Sequence, residues 1–172
     1  MTEQSDAISA KNRLSYIILI TSVAAFGGFL FGYDTAVIAG AIGYIQVKFN
    51  LSPLMVGWAA SSAIWGCVLG ALSAGYLSDR YGRKAVLIGT AVLFALPAYG
   101  SAVVNDLTSF IIMRLLGGIG VGAASMLCPM YISEIAPSRI RGRLVTLYQL
   151  AIVLGINIIY VINLKISQAG DE

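Results

Sequence analysis

Five long apolar runs, separated by short polar breaks, set the pattern of this chain. They cover about 14–43, 51–78, 85–104, 107–132 and 144–164. A bilayer-crossing helix needs ~20 predominantly apolar residues, and each run meets that length. Gly32, Gly66, Pro97 and Pro129 fall inside the runs. Such residues are tolerated in membrane helices, where neighbouring helices satisfy the backbone groups they free. The pattern predicts an all-α, polytopic membrane helix bundle. Residues 1–13 are expected to form a cytoplasmic tail, and 165–172 the start of an outer loop. The first run is too long for a cleaved signal peptide and has no clean small-residue cleavage site.

Within the runs, small residues recur every fourth position: Gly28, Gly32, Ala36 and Gly40 in the first, Gly66, Gly70 and Ala74 in the second, Gly118 and Gly122 in the fourth. That spacing lays a smooth stripe along one helix face. It lets backbones approach closely where lipid offers no hydrophobic gain for association. The glycine run from Gly117 to Gly122 follows no strand and lies mid-membrane, so packing explains it better than dinucleotide binding.

Composition agrees. Of 172 residues, 58% are hydrophobic and 11% charged, against about 25% charged in a soluble domain; mean hydropathy is +0.85. Histidine is absent, which removes imidazole chemistry and most zinc sites. Cys67 and Cys128 lie inside apolar runs without metal-ligand spacing, so they read as small buried hydrophobes. No metal, cofactor, enzymatic activity or nucleic-acid partner is expected.

Charge placement says more than the net +3. Lys11, Arg13, Arg80, Arg83, Lys84, Arg139, Arg141 and Arg143 fall on one side of the predicted membrane, and only Lys48 and Lys165 on the other. The positive-inside rule then puts the N-terminus in the cytoplasm. Asp79 is placed to pair with Arg83 or to cap a helix, and Gly82 permits a sharp reversal between the second and third spans. Glu134 is expected to face Arg139, Arg141 and Arg143 across the next short loop.

Two charges lie inside apolar runs. Asp34 interrupts the first and Arg114 the fourth. An intramembrane carboxylate costs roughly 3 kcal/mol on insertion scales and marks a functional pathway by default. Guanidinium stays charged in proteins, so Arg114 needs a partner, a wet cavity or the interface. Helical rise places Arg114 ~10 Å from the outer end of its span and Asp34 ~15 Å from the outer end of its own. The two are therefore expected at similar depths on antiparallel helices. A nearby cation favours the charged carboxylate and burial disfavours it. A carboxylate poised between these effects is suited to carrying a proton.

Four strings now bear on family. They are Gly27-Gly-Phe-Leu-Phe-Gly-Tyr-Asp34, the segment Gly75 to Lys84 containing Asp-Arg-Tyr-Gly-Arg, Arg114 followed by Gly117-Gly-Ile-Gly-Val-Gly122, and Pro129-Met-Tyr-Ile-Ser-Glu134 continuing to Pro137 and Arg141-Gly142. Through them the chain resembles the sugar porter family of the major facilitator superfamily along nearly its whole length. The resemblance implies a proton-coupled sugar (pentose or hexose) symporter of the cell membrane, working by alternating access, with monosaccharide, proton and lipid bilayer as partners. It implies proton coupling at Asp34 and Arg114, because the Asp34 position is acidic in proton-coupled members and amide-bearing in facilitative ones. It implies sugar contacts at Phe31 and Gln149, and a cytoplasmic charge network of Asp79, Arg80, Arg83, Glu134 and Arg141. Ile156 departs from some xylose-type members, which carry a second cavity glutamine a turn or two beyond the Gln149 position; Asn157 stands beside it.

Such transporters have two six-helix halves with the substrate between them. The 172 residues are accordingly expected to supply five of the six helices of the N-terminal half, the C-terminal half being a missing partner. As an alternative, the polypeptide alone is a transport-inactive fragment. A drug–proton antiporter of the same superfamily fits less well: its fifth helix carries a Gly-Pro-rich kink, whereas the run 144–164 has only Gly155 and no proline.

Overall fold

The computed structural model describes residues 2–104 and 106–170, and side chains from residue 17 onward except 102, 169 and 170. Among these residues the elements are five α-helices: α1 (Thr2–Phe49), α2 (Pro53–Tyr81), α3 (Arg83–Val103), α4 (Leu107–Ile135) and α5 (Arg141–Gly170). Each contains a stretch long and apolar enough to cross a membrane. The chain is an integral membrane protein of the all-α class.

The helices outrun the apolar runs that predicted them. α2 and α4 have 29 residues each, about 43 Å of helix against a hydrocarbon core of ~30 Å. Helix ends are set by capping chemistry, and hydropathy marks only the oily middle. Ser52 caps α2, its hydroxyl accepting from the Met55 amide at 3.4 Å, with Pro53 in the first turn. Asp106 caps α4 through the Ser109 amide at 2.7 Å. Gly82 sits at φ 85°, a backbone state costly for other residues, and its N–H reaches the Ser78 carbonyl at 3.0 Å. The helix of α1 begins at Thr2 within the segment expected as a tail, which contains neither proline nor glycine. The expected outer loop from residue 165 likewise continues α5 to Gly170, since nothing between Lys165 and Ala169 breaks a helix.

α4 sits at the centre, packed most extensively on α2 and then α3, while α1 packs chiefly on α5 and more lightly on α4. The small-residue stripes make both close pairs. A Cβ on Gly66, Gly70, Gly118 or Gly122 would come within 2.1 Å of a carbonyl oxygen across the α2–α4 seam. On the α1–α5 seam, a Cβ added to Gly32 would run into the Ile152 carbonyl, and one added to Gly155 into that of Phe29. Register runs the same way in both members of each pair (Gly66 with Leu115, Gly70 with Ile119), so the pairs are parallel. Such contact at backbone distance is how membrane helices associate. A buried cluster of Ala24, Cys128, Ile132, Tyr148 and Ile152 ties α1, α4 and α5 together. Both cysteines are free thiols, Cys128 buried and Cys67 partly so. Large apolar side chains such as Trp58, Trp65 and Leu72 face outward, as suits a lipid-facing surface.

Candidate functional site

The packing of α1 on α4 brings the two intramembrane charges together. Arg114 Nη1 donates to Asp34 Oδ1 at 2.8 Å. Only 10% of the Arg114 side chain and 21% of that of Asp34 are exposed. The depth match expected from helical rise is thus realised as direct contact between residues 80 positions apart. A charge-assisted bond of this length, away from bulk water, is strong and orienting. Beside it Arg114, Asp34, Pro97, Ser101 and Gly117 line a small cavity of about 20 Å³.

One helical turn before Asp34, Phe31 faces an open groove of about 530 Å³ lined by α1, α4 and α5. Gln149 lines the same groove, with Ser125, Thr146 and Tyr148. Gln149 is exposed there, and a carboxamide carries both donor and acceptor, the pairing a sugar hydroxyl needs. Phe31 also lines an apolar cavity of about 190 Å³ between α1, α3 and α4, so its ring forms the wall between the two spaces. Ile156 packs against the buried cluster of α1, α4 and α5. Asn157 returns its amide to the Val153 carbonyl at 2.8 Å. Tyr148 escaped notice in the sequence, where it reads as one more apolar residue. Its ring abuts Gly28 and its hydroxyl is buried without a partner among the described residues.

At the end of the bundle opposite the Asp106 cap, Arg83 is a hub. It bonds Ser78 and Asp79 at the end of α2 and reaches Glu134 on α4, Nε to Oε1, at 3.2 Å. Three helices are thereby linked through one guanidinium. Glu134 does not face Arg139, Arg141 and Arg143 as expected. The C-terminal turn of α4 lies beside the α2–α3 reversal, so its carboxylate meets Arg83 first, and those three arginines are exposed. Two members of the expected network also stand outside it. Arg80 donates to the Tyr76 hydroxyl at 3.3 Å and lies over the Tyr81 ring, while Arg141 has no ion pair among the described residues. Ser78 joins instead; its position next to Asp79 was the available signal. The side chains of Lys11 and Arg13 lie outside the described residues.

Comparison with known proteins adds to this geometry. A family model described as "Sugar (and other) transporter" matches residues 20–172. The arabinose-proton symporter of Bacillus subtilis is 45% identical over 98% of this chain and 36% of its own length. The D-xylose-proton symporter of Escherichia coli is 42% identical over 91% of this chain and 37% of its own. Among solved structures, the proton:xylose symporter bound to 6-bromo-6-deoxy-D-glucose superposes with a TM-score of 0.84 at 42% identity. It covers 91% of this chain, which spans 38% of that structure. An inward open conformation of the Escherichia coli xylose transporter gives 0.81 at 43% identity. The chain spans little more than a third of the length of the curated relatives it matches.

Proposed function

The chain belongs to the sugar (and other) transporter family, as a sugar porter of the major facilitator superfamily, and we propose that it supplies the proton site and one wall of the sugar site of a proton-coupled monosaccharide symporter. The observation that carries this reading is the 2.8 Å pair of Asp34 and Arg114, one turn from a groove holding Phe31 and Gln149. Relatives named as arabinose- and xylose-proton symporters support the pairing of proton with pentose.

The chemistry follows from the pair. Ionised Asp34 holds Arg114 by a charge-assisted bond. A proton reaching Asp34 from the outer side removes the negative charge and turns that bond into a weaker one, freeing α1 and α4 to shift relative to each other. Sugar in the groove contacts the Phe31 face and bonds to the Gln149 amide. The protonated, sugar-loaded form exchanges access to the other side, where the proton leaves and the pair re-forms. Coupling arises when the carboxylate charge and the sugar bias the same two-state equilibrium. The Arg83 hub, tying α2, α3 and α4 at one end, is suited to favouring one of those states.

Reconstitution in proteoliposomes tests the reading. In a transporter of the relatives' length that carries this chain, adding pentose or hexose without an imposed gradient alkalinises the outer medium as protons enter with sugar. Sugar uptake with no accompanying proton movement would reduce the assignment to facilitated diffusion.

A further inference from the structure

The ion pair leaves one polar atom unaccounted for. Arg114 Nε is buried and has no hydrogen-bond partner among the described residues, although its Nη1 is bonded to Asp34. A buried donor left unmet costs about 1–3 kcal/mol, more when it belongs to a charged group. Arg114 also lines the cavity of about 20 Å³ between α1, α3 and α4, and a buried water needs ~10–15 Å³ of such space and two to four polar neighbours.

The cavity wall has those neighbours. Asp34 uses Oδ1 for Arg114, which leaves acceptor capacity on Oδ2. Ser101 donates its hydroxyl to the Ala98 carbonyl at 3.2 Å, so its lone pairs remain free to accept. Phe94, Pro97 and Met113 close the remaining wall with apolar atoms. Arg114 disfavours a cation and Asp34 an anion, while the volume excludes a sugar.

We infer that this cavity is a binding site for a single water, accepting from Arg114 Nε and donating to Asp34 or Ser101, and that Ser101 is a positioning residue for the proton site. The inference rests on the proton-site reading and gives it a mechanism. When Asp34 takes a proton and releases its hold, the water keeps the Arg114 guanidinium solvated from the α3 side, so the arginine stays in place for the pair to re-form.

X-ray radiolytic footprinting in heavy-oxygen water reads the site directly. Hydroxyl radicals from a bound water oxidise the side chains that touch it, and Met113 lines the cavity. In the purified protein in lipid nanodiscs, Met113 gains heavy oxygen, with exposed Met55 as the reference. Gly117→Ala occupies the same space from α4; its Cβ would lie 3.5 Å from Pro97 Cβ, ordinary contact. That variant drops Met113 labelling by roughly an order of magnitude relative to Met55. Ser101→Ala, which keeps the space but removes a partner, lowers it less. An unlabelled Met113 in the unsubstituted protein, or labelling unchanged in Gly117→Ala, overturns the inference. The measurement uses neither sugar nor a proton gradient, so its failure and a failure of symport are told apart.

Discussion

Removing either charge of the Asp34–Arg114 pair has unequal consequences. Asp34→Asn leaves an amide that still accepts from Arg114. Arg114→Leu strands a largely buried carboxylate, and breaking a buried pair from one side typically costs about 3–5 kcal/mol. Thermal unfolding in detergent should therefore drop further for Arg114→Leu than for Asp34→Asn. The double variant should recover much of the loss, because it no longer buries an unpaired charge. A double variant as unstable as the sum of the two would show that the residues do not interact in the membrane. The pair was legible from sequence because a charge in an apolar run has few ways to be satisfied and helical rise fixes its depth. Charge placement alone missed the partner of Glu134, since it depends on which helix α4 lies against sideways and no periodicity encodes that; only the family resemblance put Glu134 in one network with Arg83. Tyr148 and Ser101 were hidden for another reason: within an apolar run, small and aromatic residues carry no mark of the cavity they line.

Small residues govern the seams between helices, and their spacing could be read directly. The consequence is a sharp contrast between glycines of identical sequence character. Gly118→Ala would put a methyl 2.1 Å from the Ala63 carbonyl, forcing α2 and α4 apart. Overpacking of this kind costs about 1–3 kcal/mol or more. Gly89 on α3 has nothing within 4 Å of an added Cβ. Gly89→Ala should then be neutral or raise stability by up to about 1 kcal/mol through helix propensity. Comparing the two melting temperatures checks the seam. Helix ends were less legible, because caps extend each helix beyond the oily core. The Asp106 cap adds a pH dependence at the start of α4. The Ser109 amide and hydroxyl hold the Asp106 carboxyl below its ordinary value. A depressed folded value means the cap is fully present above the unfolded value of about 3.9 and is lost as pH falls through the lower folded one. Amide exchange at Ser109 should accelerate in that acid window, and much less in Asp106→Asn, which caps without titrating.

Across the whole molecule, two parallel pairs, α2 with α4 and α1 with α5, meet where α1 crosses α4, and the ion pair sits at that crossing. A charge change at one point thus acts on the contact between both pairs. The basic residues gathered at the Arg83 end propose a cytoplasmic location for that end. With both native thiols replaced by serine, a cysteine at Ser138 in the α4–α5 loop should react with an impermeant maleimide only after right-side-out membranes are opened. Immediate labelling from outside would invert the orientation. The membrane class and the family could be read from sequence, since hydropathy and four local strings carry them. The two cavities could not, because each is made by three helices that only the fold brings together; of the Arg83 hub, the pairing with Asp79 was legible and the place of Ser78 was not.

Asp34 as the coupling carboxylate is tested most directly by one comparison in proteoliposomes, with Asp34→Asn placed in a transporter of the relatives' length carrying this chain. Sugar counterflow, which needs no proton movement, should persist within a few-fold of the unsubstituted level. Accumulation of sugar against its gradient under an imposed proton gradient should vanish. Uphill accumulation that survives Asp34→Asn would contradict the account.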